Sequence, residues 1–136
     1  MIKSLLTAFI FASIIFLIID VIWLSITVKA LYRPHLGGLL RDQPIMWAAV
    51  LFYLIYMIGL SLIILRPALI NDSILQAFWT GIIFGVVAYG TYNLTNMATI
   101  KNWSSTIVMI DMIWGGILTG FSSAIAIYFT KSFFSN

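Results

Sequence analysis

Ser4-Leu-Leu-Thr-Ala-Phe-Ile-Phe-Ala-Ser-Ile-Ile-Phe-Leu-Ile-Ile-Asp20-Val-Ile-Trp-Leu-Ser-Ile-Thr-Val28 is an apolar run with one charged side chain, Asp20. A helix rising about 1.5 Å per residue over this run crosses the roughly 30 Å hydrocarbon core of a bilayer. The run is too long for a signal peptide, holds Asp20 and Trp23, and lacks a small-x-small cleavage site, so it is expected to remain as a spanning helix. Its polar phrase Asp20-Val-Ile-Trp23 returns near the other end of the chain as Asp111-Met-Ile-Trp114. The chain has only four acidic residues, and two of them lie in these greasy segments.

Composition extends the membrane reading to the whole chain. The 136 residues are 62% hydrophobic and 8% charged, with a mean hydropathy of +1.11. A soluble domain carries about 25% charged residues, and a core of this size cannot hide so much apolar surface from water. The apolar runs are long and continuous. They lack the alternation, in segments of about ten residues, of a membrane barrel. With no cysteine, disulfide and thiolate chemistry are excluded. A net charge of +3 without a basic stripe fits contact with lipid headgroups and argues against nucleic acid as a partner.

Four spans are predicted, at about 4–28, 44–65, 73–99 and 105–130. They form an all-α, up-down transmembrane bundle in a single domain, 1–136. Pro44 suits a first helical turn, where its missing N–H costs nothing, and Arg66-Pro67 reads as a helix stop. Asn71, Asp72 and Ser73 offer caps for the third helix. The longest loop, Lys29 to Gln43, reads as interfacial or re-entrant. It supplies a basic mouth of Lys29, Arg33, His35 and Arg41, joined by Lys101 from the third loop. Four basic residues on this side against three on the other leave the orientation open. Gly81/Gly85 and Gly116/Gly120 are small-xxx-small pairs that allow close helix approach, within the bundle or between subunits.

Depth places the polar residues. Asp20 lies eight residues before Val28, and Asp111 six after Ser105. Both helix ends face the same side, so both carboxyls are expected roughly 10 Å below that surface. Tyr53 and Tyr56 of the second helix fall in this layer. So do Tyr89, Tyr92, Asn93 and Asn96, whose i, i+3, i+4, i+7 spacing puts them on one face of the third. Trp23 and Trp114 each follow an Asp by three residues and share its face. The expected binding residues are therefore Asp20, Asp111, Asn93, Asn96, Tyr53, Tyr92, Trp23 and Trp114.

A plainer account exists for each. The two Asp and the Tyr/Asn stripe can be interhelical hydrogen bonds, and Trp47, Trp79 and Trp103 fit an interfacial aromatic belt. Intramembrane acids are costly, however, and mark binding or transport sites by default. His35 is the only histidine, and with no cysteine it cannot complete a zinc or haem site. No metal or cofactor is implied, and phosphate-loop and nucleophile-elbow motifs are absent.

The phrases Tyr89-Gly-Thr-Tyr-Asn-Leu-Thr-Asn-Met-Ala-Thr-Ile-Lys-Asn-Trp103 and Val108-Met-Ile-Asp-Met-Ile-Trp-Gly115 resemble the bacterial family catalogued as domain of unknown function 2177. Asp20-Val-Ile-Trp-Leu24, Tyr32-Arg33, Leu51-Phe-Tyr-Leu-Ile-Tyr56 and Arg66-Pro-Ala68 add to the likeness, which covers essentially the whole chain. The resemblance implies a small protein of the bacterial inner membrane and supplies no function. One departure is Asn93, where the family phrase is expected to carry Asp. The amide keeps the shape and loses the charge, which removes a third carboxylate from any mechanism.

The expected function is binding or transport of a proton, a small cation or an amphiphile in a pocket opening toward the basic mouth. Enzymatic activity is not the favoured expectation. The alternatives are a lipid-modifying membrane enzyme or its accessory, with Asp20 or Asp111 as general acid or base, and a scaffold whose acids lock helices. Four short spans would line a pathway more easily as a homodimer than alone.

Overall fold

The computed structural model describes residues 1–136. It is an all-helical, up-down bundle. Four helices are long and apolar enough to cross a membrane: α1, Ile2–Leu39; α2, Met46–Ile70; α3, Ile74–Thr99; and α4, Ser105–Ser135. Ser73 caps α3 by accepting from the Gln76 amide (3.1 Å), and Ser104 caps α4 by accepting from the Ile107 amide (3.3 Å). The tight turn before α4 places Asn102 at φ 63°, a conformation Asn tolerates better than most residues.

Two helices run beyond their expected ends, for one reason. The first does not stop at Val28, and Arg66-Pro67 does not end the second. In both, an Arg-Pro step follows a π-helical stretch, Val28–Tyr32 before Arg33-Pro34 and Ser61–Leu65 before Arg66-Pro67. The Arg33 amide bonds to the Val28 carbonyl and the Arg66 amide to the Ser61 carbonyl. In a regular α-helix the proline ring would clash with the carbonyl four residues back. The wider turn removes that conflict, and the helix continues. Lys29, Arg33 and His35 consequently ride on α1 rather than in a loop, which begins only after Leu39. At the far end α4 continues past Thr130 to Ser135, and Lys131 pairs with Asp72 (2.7 Å) on the α2–α3 turn.

The bundle is built around α3 and α4, whose glycine motifs interlock. A Cβ on Gly85 would lie 2.0 Å from the Gly115 carbonyl oxygen, and one on Gly81 would lie 2.9 Å from the Thr119 oxygen and from the Gly120 Cα. A Cβ on Gly120 would meet Ile82 Cγ1 at 2.6 Å. The two small-xxx-small pairs are thus spent on each other inside one chain. The opposite side of α4 takes α1: Ala8, Ala12 and Phe16 are fully buried with Leu118, Ala126 and Ile127 in one core. Small side chains on α4 (Ser122, Ser123, Ala126) let the helices approach, as expected where packing rather than water exclusion drives association. Leu, Ile and Phe side chains cover the outward faces.

α2 closes the bundle unevenly. Its second half is buried through Leu60, Ser61, Ile64, Leu65 and Ala68, whereas its first half, from Met46, is largely exposed. Because the first half of α2 stands off from the other helices, a space opens at that end of the bundle.

Candidate functional site

The space is a cavity of about 810 Å³, lined by Asp20, Asp111 and 20 further residues, 15 of the 22 hydrophobic. Its polar wall is two hydrogen-bonded clusters, one on each carboxyl, assembled from all four helices and joined by the stacked indoles of Trp23 and Trp114. Tyr53 donates to Asp20 Oδ2, and Trp114 Nε1 donates to Asp20 Oδ1 at 3.2 Å. Tyr32 donates to Asp111 Oδ1 at 2.6 Å, and Asn93 Nδ2 donates to Asp111 Oδ2 at 2.6 Å. Trp23 Nε1 donates to the Tyr32 hydroxyl at 3.2 Å. All four carboxyl oxygens therefore accept one hydrogen bond each, from neutral donors.

The repeated Asp-x-x-Trp phrase gains a physical meaning here. On antiparallel helices, the indole of each phrase serves the carboxyl of the other. Trp114 reaches Asp20 directly, and Trp23 reaches Asp111 through Tyr32. The two indoles stack face to face between them, centroids 4.2 Å apart and 9° from parallel. Such a pair couples its electronic transitions. Trp23→Phe is therefore expected to remove a paired positive and negative band from the near-ultraviolet circular dichroism spectrum. It should do so with the far-ultraviolet helix signal unchanged; an unaltered near-ultraviolet spectrum would show that the indoles are not stacked.

The extension of α1 positions Tyr32, which the sequence places in the first loop. The π-helical turn shifts the register after Thr27, and Tyr32 comes back over Trp23 and against Asp111. The signal for it in the sequence was slight, an aromatic hydroxyl beside Arg33. Tyr56 and Tyr89 also line the cavity. The Tyr56 hydroxyl bonds Thr119 Oγ1 at 2.7 Å, and Tyr89 covers Gly115, whose added Cβ would lie 2.3 Å from the Tyr89 ring.

Asn93 is fully buried, and its orientation follows from its neighbours. Nδ2 donates to the Tyr89 carbonyl (2.9 Å) as well as to Asp111, and a carbonyl can only accept. An ionised carboxyl at this position could bond neither partner, so the amide in place of the family's expected Asp suits this arrangement.

The remaining expected residues divide. Tyr92 lines the cavity edge, 59% exposed and edge-on to Trp103. Trp103, expected in the interfacial belt, is half-buried and lines the same edge. Arg33 and Arg41 line the mouth beside Asp42, which the sequence reading passed over. Asn96, Lys29, His35 and Lys101 do not line it; His35 Nδ1 lies 2.8 Å from the Leu31 carbonyl on its own helix. Neither Asp20 nor Asp111 forms an ion pair, the chain's one salt bridge being Lys131–Asp72.

No curated protein and no solved structure matches the chain. A family model described as "Predicted membrane protein (DUF2177)" matches residues 5–128, a stretch that reaches into all four helices and holds every residue hydrogen-bonded to the two carboxyls. The chain belongs to that family of membrane proteins, domain of unknown function 2177.

Proposed function

We propose that this membrane protein binds an amphiphile with a positively charged head, held by Asp20 and Asp111. The observation that carries the reading is the pairing of two intramembrane carboxyls, from opposite ends of the sequence, on one wall of a largely apolar cavity without a cationic side chain paired to either. Buried charges are paired or coordinate a cation, and the partner missing from the chain is supplied by a ligand. Trp23, Tyr32, Tyr53, Tyr89 and Trp114 line the cavity with the carboxyls, and aromatic rings attract ammonium groups through their quadrupoles. The volume falls in the range of roughly 300–1,000 Å³ typical of small-molecule sites. An apolar lining favours an ammonium with an apolar body over a bare hydrated ion. Arg33 and Arg41 at the mouth face the phosphates of the headgroup layer.

The bacterial inner membrane is the location that the family resemblance favours. Movement of the amphiphile across the bilayer is the natural extension of binding. One chain supplies every residue that lines the cavity, and the proposed binding is drawn within that chain.

The test is a titration of dodecylammonium into the protein in lipid nanodiscs, followed by tryptophan fluorescence, with dodecanol as the uncharged control. Saturable binding is expected for dodecylammonium alone. A hydrogen bond to a charged group is worth about 1.5–3 kcal/mol, so Asp20→Asn or Asp111→Asn is expected to weaken binding about ten- to a hundredfold. Equal binding of dodecanol, or indifference to both substitutions, would dismiss the reading.

A further inference from the structure

The cavity has a neighbour that the network does not use. An apolar groove of about 550 Å³ runs down the outward side of the gap between α2 and α3, with Trp47, Leu51, Ile55, Gly59 and Phe84 along it. Its two remaining aromatic walls, Phe52 and Tyr56, also line the main cavity. Phe52 and Tyr56 thus stand between the two spaces and face both.

The backbone explains why the partition is thin. α2 packs on α3 through its second half, Ser61–Ile70. Above that level the helices meet through aromatic edges: Tyr56 against Phe84 (centroids 5.3 Å) and Tyr56 against Tyr89 (6.2 Å). No glycine motif or backbone contact of the α3–α4 kind closes this seam. Phe52, which lines both spaces, is exposed, and its side chain can rotate without moving backbone, whereas parting α3 from α4 would move backbone.

We propose that the α2–α3 seam is a lateral portal, through which the amphiphile enters from the bilayer and in which its alkyl chain stays once the head is in the cavity. This rests on the reading of Asp20 and Asp111 as the head site. The occupant follows from continuity and from chemistry. The groove meets the cavity at two shared residues, its lining is apolar apart from Tyr56, and it lies on a face built for lipid, so what leads out of it is hydrocarbon. The head passes from the groove to the carboxyls without crossing the arginines at the mouth, which would repel it.

Lipid tails are as apolar as the groove, so chain length should change affinity little, and the position of the chain is the quantity to measure. The probe is dodecylamine carrying a diazirine near the middle of its chain, photolysed on the whole protein in nanodiscs and mapped by mass spectrometry. Labelling is expected on Trp47, Leu51, Ile55 and Phe84 severalfold above that on the outward residues Ile14 and Ile18 of α1, and severalfold lower in Asp20→Asn. Gly59→Leu should cut groove labelling severalfold, because a Cβ there meets only Phe84 Cζ at 3.7 Å and the side chain fills the groove. Butylammonium, too short to need the groove, should bind this variant as it binds the wild type. Uniform labelling of all outward faces, with dodecylammonium still held in an Asp20-dependent manner, would overturn the portal and leave the head site standing. Loss of Asp20 dependence altogether would overturn the head site, and the portal with it.

Discussion

Gly85→Ala is expected to abolish the folded bundle. The added methyl would sit 2.0 Å from the Gly115 carbonyl oxygen, 2.6 Å from its carbon and 2.8 Å from Thr119 Oγ1. Two of these three atoms are backbone and cannot rotate away, so α3 and α4 would have to separate along their whole seam. Overpacking of cores costs about 1–3 kcal/mol where side chains can adjust; a backbone clash at the central interface lies at or beyond the upper end. Separation would also pull Tyr89 off Gly115 and Asn93 off Asp111, so the site would fail with the fold. The measurement is thermal unfolding of purified protein in detergent, with two alanine controls. Gly38→Ala meets nothing within 4 Å, and Gly59→Ala meets only Phe84 Cζ at 3.7 Å. Both should keep the wild-type melting temperature, while Gly85→Ala should not accumulate as folded protein. A Gly85→Ala protein melting with its controls would mean that the α3–α4 seam is looser than described.

The second large effect separates shape from charge at position 20. Asp20→Asn keeps both contacts: the amide oxygen accepts from Trp114 and the amide nitrogen donates to the Tyr53 hydroxyl, so only the Tyr53 proton and the second amide proton turn to the cavity for partners. Asp20→Leu keeps the volume and removes both acceptors, leaving the half-buried Tyr53 hydroxyl and Trp114 indole N–H without their partner at Asp20. Each buried group left unpaired costs about 1–3 kcal/mol. For two half-buried donors the leucine variant is therefore expected to lose about 2 kcal/mol of stability on that account, and the asparagine variant less. Both should lose ligand, the first with its fold and the second without. Thermal melts and dodecylammonium titrations on the same preparations check this; a leucine variant as stable as the asparagine one would show that the hydrogen bonds to Asp20 contribute nothing to the fold.

Much of this architecture is legible in the sequence, because hydrophobic length and membrane thickness leave few choices. The four spans follow from continuous apolar runs, and the layer holding Asp20, Asp111, Asn93 and Tyr53 follows from counting residues from helix ends. What sequence reasoning misses is local. Pro34 and Pro67 ordinarily end helices, and no composition rule reveals that a π-helical turn ahead of each lets the chain continue. That error hid Tyr32, the residue that links Trp23 to Asp111. The seam partner of Gly81 and Gly85 was likewise unreadable, since a small-xxx-small pair fits an intramolecular neighbour as well as a second copy. The crossing of the two Asp-x-x-Trp phrases needs three dimensions, because each indole serves a carboxyl from the far end of the chain.

The central claim is that Asp20 and Asp111 act on one ligand in one site. It is tested most directly by a double-mutant cycle. Dodecylammonium affinity in nanodiscs is measured for the wild type, Asp20→Asn, Asp111→Asn and the double variant. Groups that act on one ligand couple by about 0.5–3 kcal/mol, whereas independent sites add within roughly 0.3–0.5 kcal/mol. The structure predicts that each single substitution removes most of the binding and that the double variant is little worse than either. Independent, additive losses, or wild-type binding by either single variant, would contradict it.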